Sequence, residues 1–195
     1  MTAVGFRIHT RVRRPARALL DRFDGLAAAD LGDAMRGFNL MDAGLVPIVP
    51  GRILGSALTV RVRAGDNLMI HKALDLAEPG DVLVVDGRGG RDNALAGENV
   101  VLWAQKRGVV GLIFDGAIRD VEALRDIGLP IYARGVTPAA PARTAGGEVN
   151  LPIACGGVVV TPGDVIVADA DGIAVVPRRD AEDVLAATAG RPAAE

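Results

Sequence analysis

Two short stretches of this chain hold most of its candidate chemistry: Gly97-Glu98-Asn99-Val100 and, one helix and one strand later, Arg119-Asp120 within VVGLIFDGAIRD. Glu98 stands at the start of one expected helix and the Arg-Asp pair at the start of the next. A guanidinium can hold a carboxylate bidentately, and carboxylate oxygens supplemented by water suit Mg²⁺ or Mn²⁺. Brought together, these residues make a compact site for a hard cation and a small anionic ligand. Spacing alone also admits a plainer alternative, in which Asp120 caps its own helix and Arg119 pairs with a surface acid.

The surrounding periodicity says how such residues could meet. VLVVD (82–86) and VVGLIFD (109–115) are short, nearly continuous apolar runs, as expected of strands buried on both faces. A Gly-rich turn and a helix from about Ala94 to Arg107 separate them. A short helix from about Arg119 to Ile127 then leads to a third strand, PIYARG (130–135). Strand-helix-strand-helix-strand is the signature of parallel, right-handed crossovers, and ligands of parallel sheets gather beyond the carboxyl ends of the strands. Neighbouring parallel strands would therefore bring Glu98, Arg119 and Asp120 to one edge.

Upstream, ILGSALTVRV (53–62) reads as a strand, and Asp66-Asn67 as the cap of a helix running through LMIHKALDLA to Pro79-Gly80. Residues 15–37 carry an apolar stripe broken at Asp24-Gly25, which predicts two short helices stopped by Gly37. From Val149 to Pro177, the runs GGVVV, DVIVAD and GIAVVP lie too close together for crossover helices, so antiparallel pairing is expected, with a final helix over 180–189. Pro-Gly-Asp-Val opens both VLVVD and VIVAD, at 79–82 and 162–165, as a turn before a strand.

Composition bounds the function. A chain of 195 residues, 50% hydrophobic, can build one sizeable core, so a single domain over 1–195 with an N-terminal helical extension over about 1–38 is expected. A net charge of -2 and 3% aromatic residues give no reason to expect nucleic acid. Arg11, Arg13, Arg14 and Arg17 read as a solvated helix start. The one cysteine, Cys155, fits a reducing compartment and a small buried residue. No apolar run reaches the roughly 18 residues needed to span a bilayer and no signal peptide is visible, so a cytoplasmic protein without membrane contact is expected.

Weaker motifs carry less. Gly87-Arg88-Gly89-Gly90 is a poor dinucleotide loop, because Asp92 stands where the last glycine belongs; its glycines read better as letting backbone approach a ligand. His71 lies beside the apolar stripe of its helix and reads as a packing residue, and His9 as part of a loose N-terminal arm. Two histidines and one cysteine give little support to zinc or a Cys-His nucleophile. Asp169 and Asp171 in ADADG read as a turn rather than a second metal site.

Taken together, Asp66-Asn67, PGDVLVVDG, Gly97-Glu98-Asn99, GVVGLIFDGAIRD, PIYARG and DADGIAVVP resemble the RraA-like family over roughly residues 25–178. The most specific element is an acid followed, after twenty residues, by Arg-Asp. The resemblance implies an α/β fold of the swivelling β/β/α type, with a parallel βαβαβ core and an antiparallel β layer. It further implies a class II aldolase that cleaves 4-hydroxy-4-methyl-2-oxoglutarate or a similar acid to pyruvate, with oxaloacetate decarboxylase activity. Asp120 would ligate the divalent metal, Mg²⁺ or Mn²⁺, and Arg119 would bind the pyruvoyl end of a small 2-oxo acid. Gly97 to Val100 would contribute backbone and acidic contacts, with catalysis shared by Arg119, Asp120 and Glu98.

Trimers or hexamers with sites between subunits are implied as well. Two departures stand beside these implications: the best-known aldolases of the family carry Asp where this chain has Glu98, and their further acid from a neighbouring subunit's C-terminal region has no assigned counterpart among Glu182, Asp183 and Glu195. The alternative is a non-catalytic regulatory or binding protein on the same scaffold. The family's ribonuclease regulator looks like a member lacking the acid of the Arg-Asp pair, which is present here. A demethylmenaquinone methyltransferase has no recognisable S-adenosylmethionine loop in this chain.

Overall fold

The computed structural model describes residues 3–189. The chain opens with β1 (Phe6–Ile8), α1 (Arg17–Leu20), α2 (Ala28–Ala34) and β2 (Val46–Val49). It then runs through three crossovers: β3 (Ile53–Val62), α3 (Leu68–Asp75), β4 (Asp81–Ala94), α4 (Glu98–Lys106), β5 (Gly111–Ile118), α5 (Val121–Ile127) and β6 (Ile131–Val136). Short strands follow, β7 (Gly147–Val149), β8 (Ile153–Cys155), β9 (Val158–Val160), β10 (Val165–Asp169) and β11 (Gly172–Val176), before α6 (Ala181–Ala189).

Strands β3, β4, β5 and β6 pair in parallel in that order. The antiparallel strands join the same sheet at its edges: β2 on β6, and β10 and β7 along successive halves of β3. Among the described residues, only the β8–β9 hairpin forms a sheet of its own.

Side-chain alternation decides what each face covers. Leu58, Val60, Leu83, Val85, Leu112 and Phe114 point toward α3, α4 and α5, where they meet Ile70, Leu74, Val101 and Leu124. Ala57, Val82, Val84 and Ile113 point the other way, onto the hairpin and the inner face of β10–β11. The outer face of that ribbon packs on Phe23, Leu31 and Leu185 of the terminal helices. Ribbon residues are thus buried on both sides, which explains the unbroken apolar runs VIVA and IAVV; each fully buried Leu or Phe contributes about 1.5–3 kcal/mol.

Several boundaries differ from the sequence expectation. The stretch after Asp86 is not a turn: β4 continues to Ala94 with register shifts against β5 at Gly90, so the glycines carry an irregular strand. Its helix starts at Glu98 rather than Ala94, and α5 starts at Val121, leaving Arg119 and Asp120 before its first turn. The N-terminal region is not purely helical and its arm is not loose. β1 pairs with β7, the His9 N–H donates to Val149 O at 3.1 Å, and Asn150 Nδ2 donates to His9 O at 2.8 Å.

Arg14 does not begin a solvated helix; it forks onto both oxygens of buried Asp81 at 2.8 Å. Asp81 in turn accepts the Glu78 N–H, and Asp164 accepts the Thr161 N–H, so both Pro-Gly-Asp segments are the expected turns. Among the described residues, no helix is long and apolar enough to cross a membrane.

Candidate active site

The loop ending β5 and the start of α4 meet through backbone first. Leu95 N–H donates to Ala117 O at 2.8 Å and Arg119 N–H to Ala96 O at 3.0 Å, which staples 95–97 alongside 117–119. Gly97 then enters α4 in extended backbone that any residue could adopt. Its small size matters for a different reason: a Cβ there would collide with Asp120 Oδ2 and crowd the Arg119 side chain. The spacing thus does bring Gly97, Glu98, Arg119 and Asp120 together.

Asp120 is held in the left-handed region, at φ 62° and ψ 36°. A non-glycine residue there costs on the order of 1 kcal/mol or more and persists only where its surroundings impose it. Its side chain does not cap its own helix. Oδ2 instead accepts the Glu98 N–H at 3.1 Å, at the positive end of α4, and lies 3.5 Å from Arg119 Nε. Both side chains remain over one third exposed, so the ion pair adds little stability and both groups keep free hydrogen-bonding capacity. The helix start and the guanidinium give this edge a positive field around one open carboxylate.

The flanking residues separate by burial. Glu98 and Asn99 are exposed at the rim, whereas the Val100 side chain lies in the core and its N–H is committed to Gly97 O at 3.1 Å. Of the C-terminal acids, Glu182 and Asp183 lie on α6, in the layer beyond the β10–β11 ribbon, where Glu182 pairs with Arg22 at 2.5 Å. Glu195 lies outside the described residues.

A second polar arrangement was missed from sequence. On the face opposite α3–α5, Arg61, Asp86, Asp115 and Arg134 stand side by side on consecutive parallel strands. Arg61 reaches Glu148 at 3.1 Å and Asp86 at 3.3 Å, while Arg134 reaches Asp115 at 2.6 Å and Asp42 at 3.0 Å. The hairpin closes the row: Gly156 N–H donates to Asp115 and Arg61 to Pro152 O. Burial pushes the Asp86 carboxyl up, against the opposing Arg88 N–H and Arg61, and neighbouring Asp115 adds to the rise. The signal was available: ALTVRV, VLVVD, LIFD and IYAR each follow an apolar run with a charge at the same depth.

The remaining candidates take structural places. His71 packs its ring on Trp103, 5.6 Å between centroids, and burial with nearby Arg143 lowers its pKa. Cys155 is fully buried with its thiol pKa pushed well up by desolvation. Asp169 accepts the Asp171 and Ala28 N–H groups, as a turn residue does.

Among the described residues, no three His, Cys, Asp or Glu side chains gather into a metal cage. A hydrated Mg²⁺ or Mn²⁺ does not need one, since such ions keep several waters and take one or two carboxylates plus substrate oxygens. Asp120, open beside the space that a side chain at 97 would fill, fits that demand.

The RraA-like family, described as Aldolase/RraA, matches residues 28–175. A Halalkalibacterium halodurans relative, named provisionally as a 4-hydroxy-4-methyl-2-oxoglutarate aldolase, is 41% identical over 167 residues, 85% of this chain and 80% of the relative. A Thermus thermophilus protein named 4-hydroxy-4-methyl-2-oxoglutarate aldolase is 38% identical over 126 residues, 65% of this chain and 76% of its own. The crystal structure of Streptomyces coelicolor RraAS2, described as an unusual member of the RNase ES inhibitor RraA protein family, superposes with a TM-score of 0.81 at 28% identity, covering 90% of this chain and 92% of that one. The chain belongs to the RraA-like family.

Proposed function

We propose that this protein is a divalent-metal-dependent class II aldolase. It cleaves a 4-hydroxy-2-oxo acid of the 4-hydroxy-4-methyl-2-oxoglutarate type to pyruvate and also decarboxylates oxaloacetate. The observation that carries this reading is Asp120, a carboxylate fixed in a strained backbone conformation between Arg119 and the start of α4, yet left open to solvent. The names of the two aldolase relatives agree with it.

Both reactions break the bond next to the carbon alpha to a 2-oxo group and drive negative charge onto the 2-oxo oxygen. Asp120 would hold Mg²⁺ or Mn²⁺, which supplies Lewis acidity at the carboxylate and keto oxygens of the substrate. Arg119 binds the pyruvoyl end and offsets the developing charge. The positive end of α4, entered through Gly97, Glu98 and Asn99, favours the anionic substrate, while Val100 seats that turn in the core. A water held by Glu98 or Asp120 removes the C4 hydroxyl proton and returns a proton to C3. Leu102 and Val136, 41% and 54% exposed, leave apolar surface for subunit contacts, and a cytoplasmic homotrimer or hexamer is the assembly we assign.

Pyruvate release from 4-hydroxy-4-methyl-2-oxoglutarate and from oxaloacetate, with Mg²⁺ or Mn²⁺ and after chelation, tests this. Metal-dependent release from either substrate supports the aldolase. Release from neither supports the regulatory reading that the RraAS2 description suggests.

A further inference from the structure

We infer that the cavity between β1, β7, the end of β3 and the middle of β4 is a second ligand site, for a small molecule carrying a divalent oxyanion such as a phosphate monoester or a dicarboxylate. The cavity measures about 560 Å³, within the range of small-molecule sites, and shares no residue with the candidate active site. Its lining residues include four arginines, Arg7, Arg61, Arg63 and Arg88, against two acids, Asp86 and Glu148. Those carboxylates are already committed. Glu148 is paired with Arg7 at 2.6 Å and Arg61 at 3.1 Å, and Asp86 with Arg61 at 3.3 Å.

Arg63 and Arg88 are different: among the described residues, neither side chain has an ion-pair or hydrogen-bond partner. Two unneutralised arginines lining one cavity supply the charge and the forked donors that a divalent oxyanion needs. Arg88 is also held at φ 59°, with its N–H donated to Asp86 Oδ1 at 3.1 Å, so the strand is strained at the residue that faces the cavity. This gives the Gly87-Arg88-Gly89-Gly90 segment a role that a dinucleotide loop does not. The closely approaching backbone is β4 itself, and the recognition falls to arginine.

Calorimetric titration with inorganic phosphate and with succinate, without divalent metal, tests the site. Arg63→Gln combined with Arg88→Asn removes both free charges, and asparagine tolerates the left-handed backbone at 88. The expected result is saturable binding of at least one anion by the wild type and by Asp120→Asn, weakened at least tenfold in the double variant with an unchanged melting temperature. The stronger of the two anions identifies the chemical source. If the double variant melts early, Arg63→Gln alone carries the test and must weaken binding several-fold. Binding of neither anion by the wild type, or binding lost in Asp120→Asn and kept when the arginines are replaced, overturns the second site. Pyruvate release is read in parallel, and its absence would leave this binding result standing.

Discussion

Two of the Arg-Asp pairs at the parallel strands of this molecule, both on or just beyond β5, are built to opposite ends. Asp115 and Arg134 face the hairpin, 2.6 Å apart, with the second Asp115 oxygen met by Gly156 N–H and Arg134 also paired with Asp42. Asp120 and Arg119, a few residues beyond the same strand β5, lie 3.5 Å apart, are over one third exposed, and hold a strained backbone. The same two residue types fasten a sheet where both carboxylate oxygens are met and the guanidinium is shared between two acids, and offer a site where the carboxylate is left open. Satisfaction, rather than residue type or spacing, separates the two.

Breaking the fastened pair should have the largest effect on stability. Asp115→Ala leaves Arg134 nearly buried with only Asp42 to face, and a loss of about 3 kcal/mol is expected in urea denaturation. Gly97→Ala sharpens the contrast from the other side. The added methyl displaces Asp120 Oδ2, so kcat/KM for pyruvate release should fall about a hundredfold while the urea midpoint changes little.

The smallest effect is a pH dependence. Burial raises the Glu148 carboxyl, but the Gly5 N–H, Arg7 and Arg61 outweigh it and hold it below the ordinary glutamate value of about 4.3. The native state therefore binds fewer protons than the unfolded chain just below that value. The stability it contributes is present above about pH 4.3 and is lost as pH falls through the lower, folded value. Urea midpoints taken from pH 6 down to 3 should fall more steeply for the wild type than for Glu148→Gln.

The sheet core was legible because both-face burial writes itself as VLVVD and VVGLIFD, and β10–β11 because its two covered faces demand the same pattern. The N-terminal arm was not: β1 is three residues long, and what pins it, Arg7 to Glu148 and Arg14 to Asp81, spans 141 and 67 positions. The meeting of Gly97 with Arg119-Asp120 followed from parallel topology, but the left-handed backbone at Asp120 and its use as acceptor for another helix did not. The charge row was hidden for a related reason. Arg61, Asp86, Asp115 and Arg134 align only once strand register is known.

The central claim is that the open pair carries the chemistry, and Asp120→Asn is its most direct test. Asparagine keeps the left-handed backbone and an acceptor for the Glu98 N–H, and removes only the charge. With Mg²⁺ or Mn²⁺ present, we expect pyruvate release to fall at least a hundredfold with the melting temperature within about 2 °C of wild type. Full activity in that variant, at any metal concentration, would contradict the account.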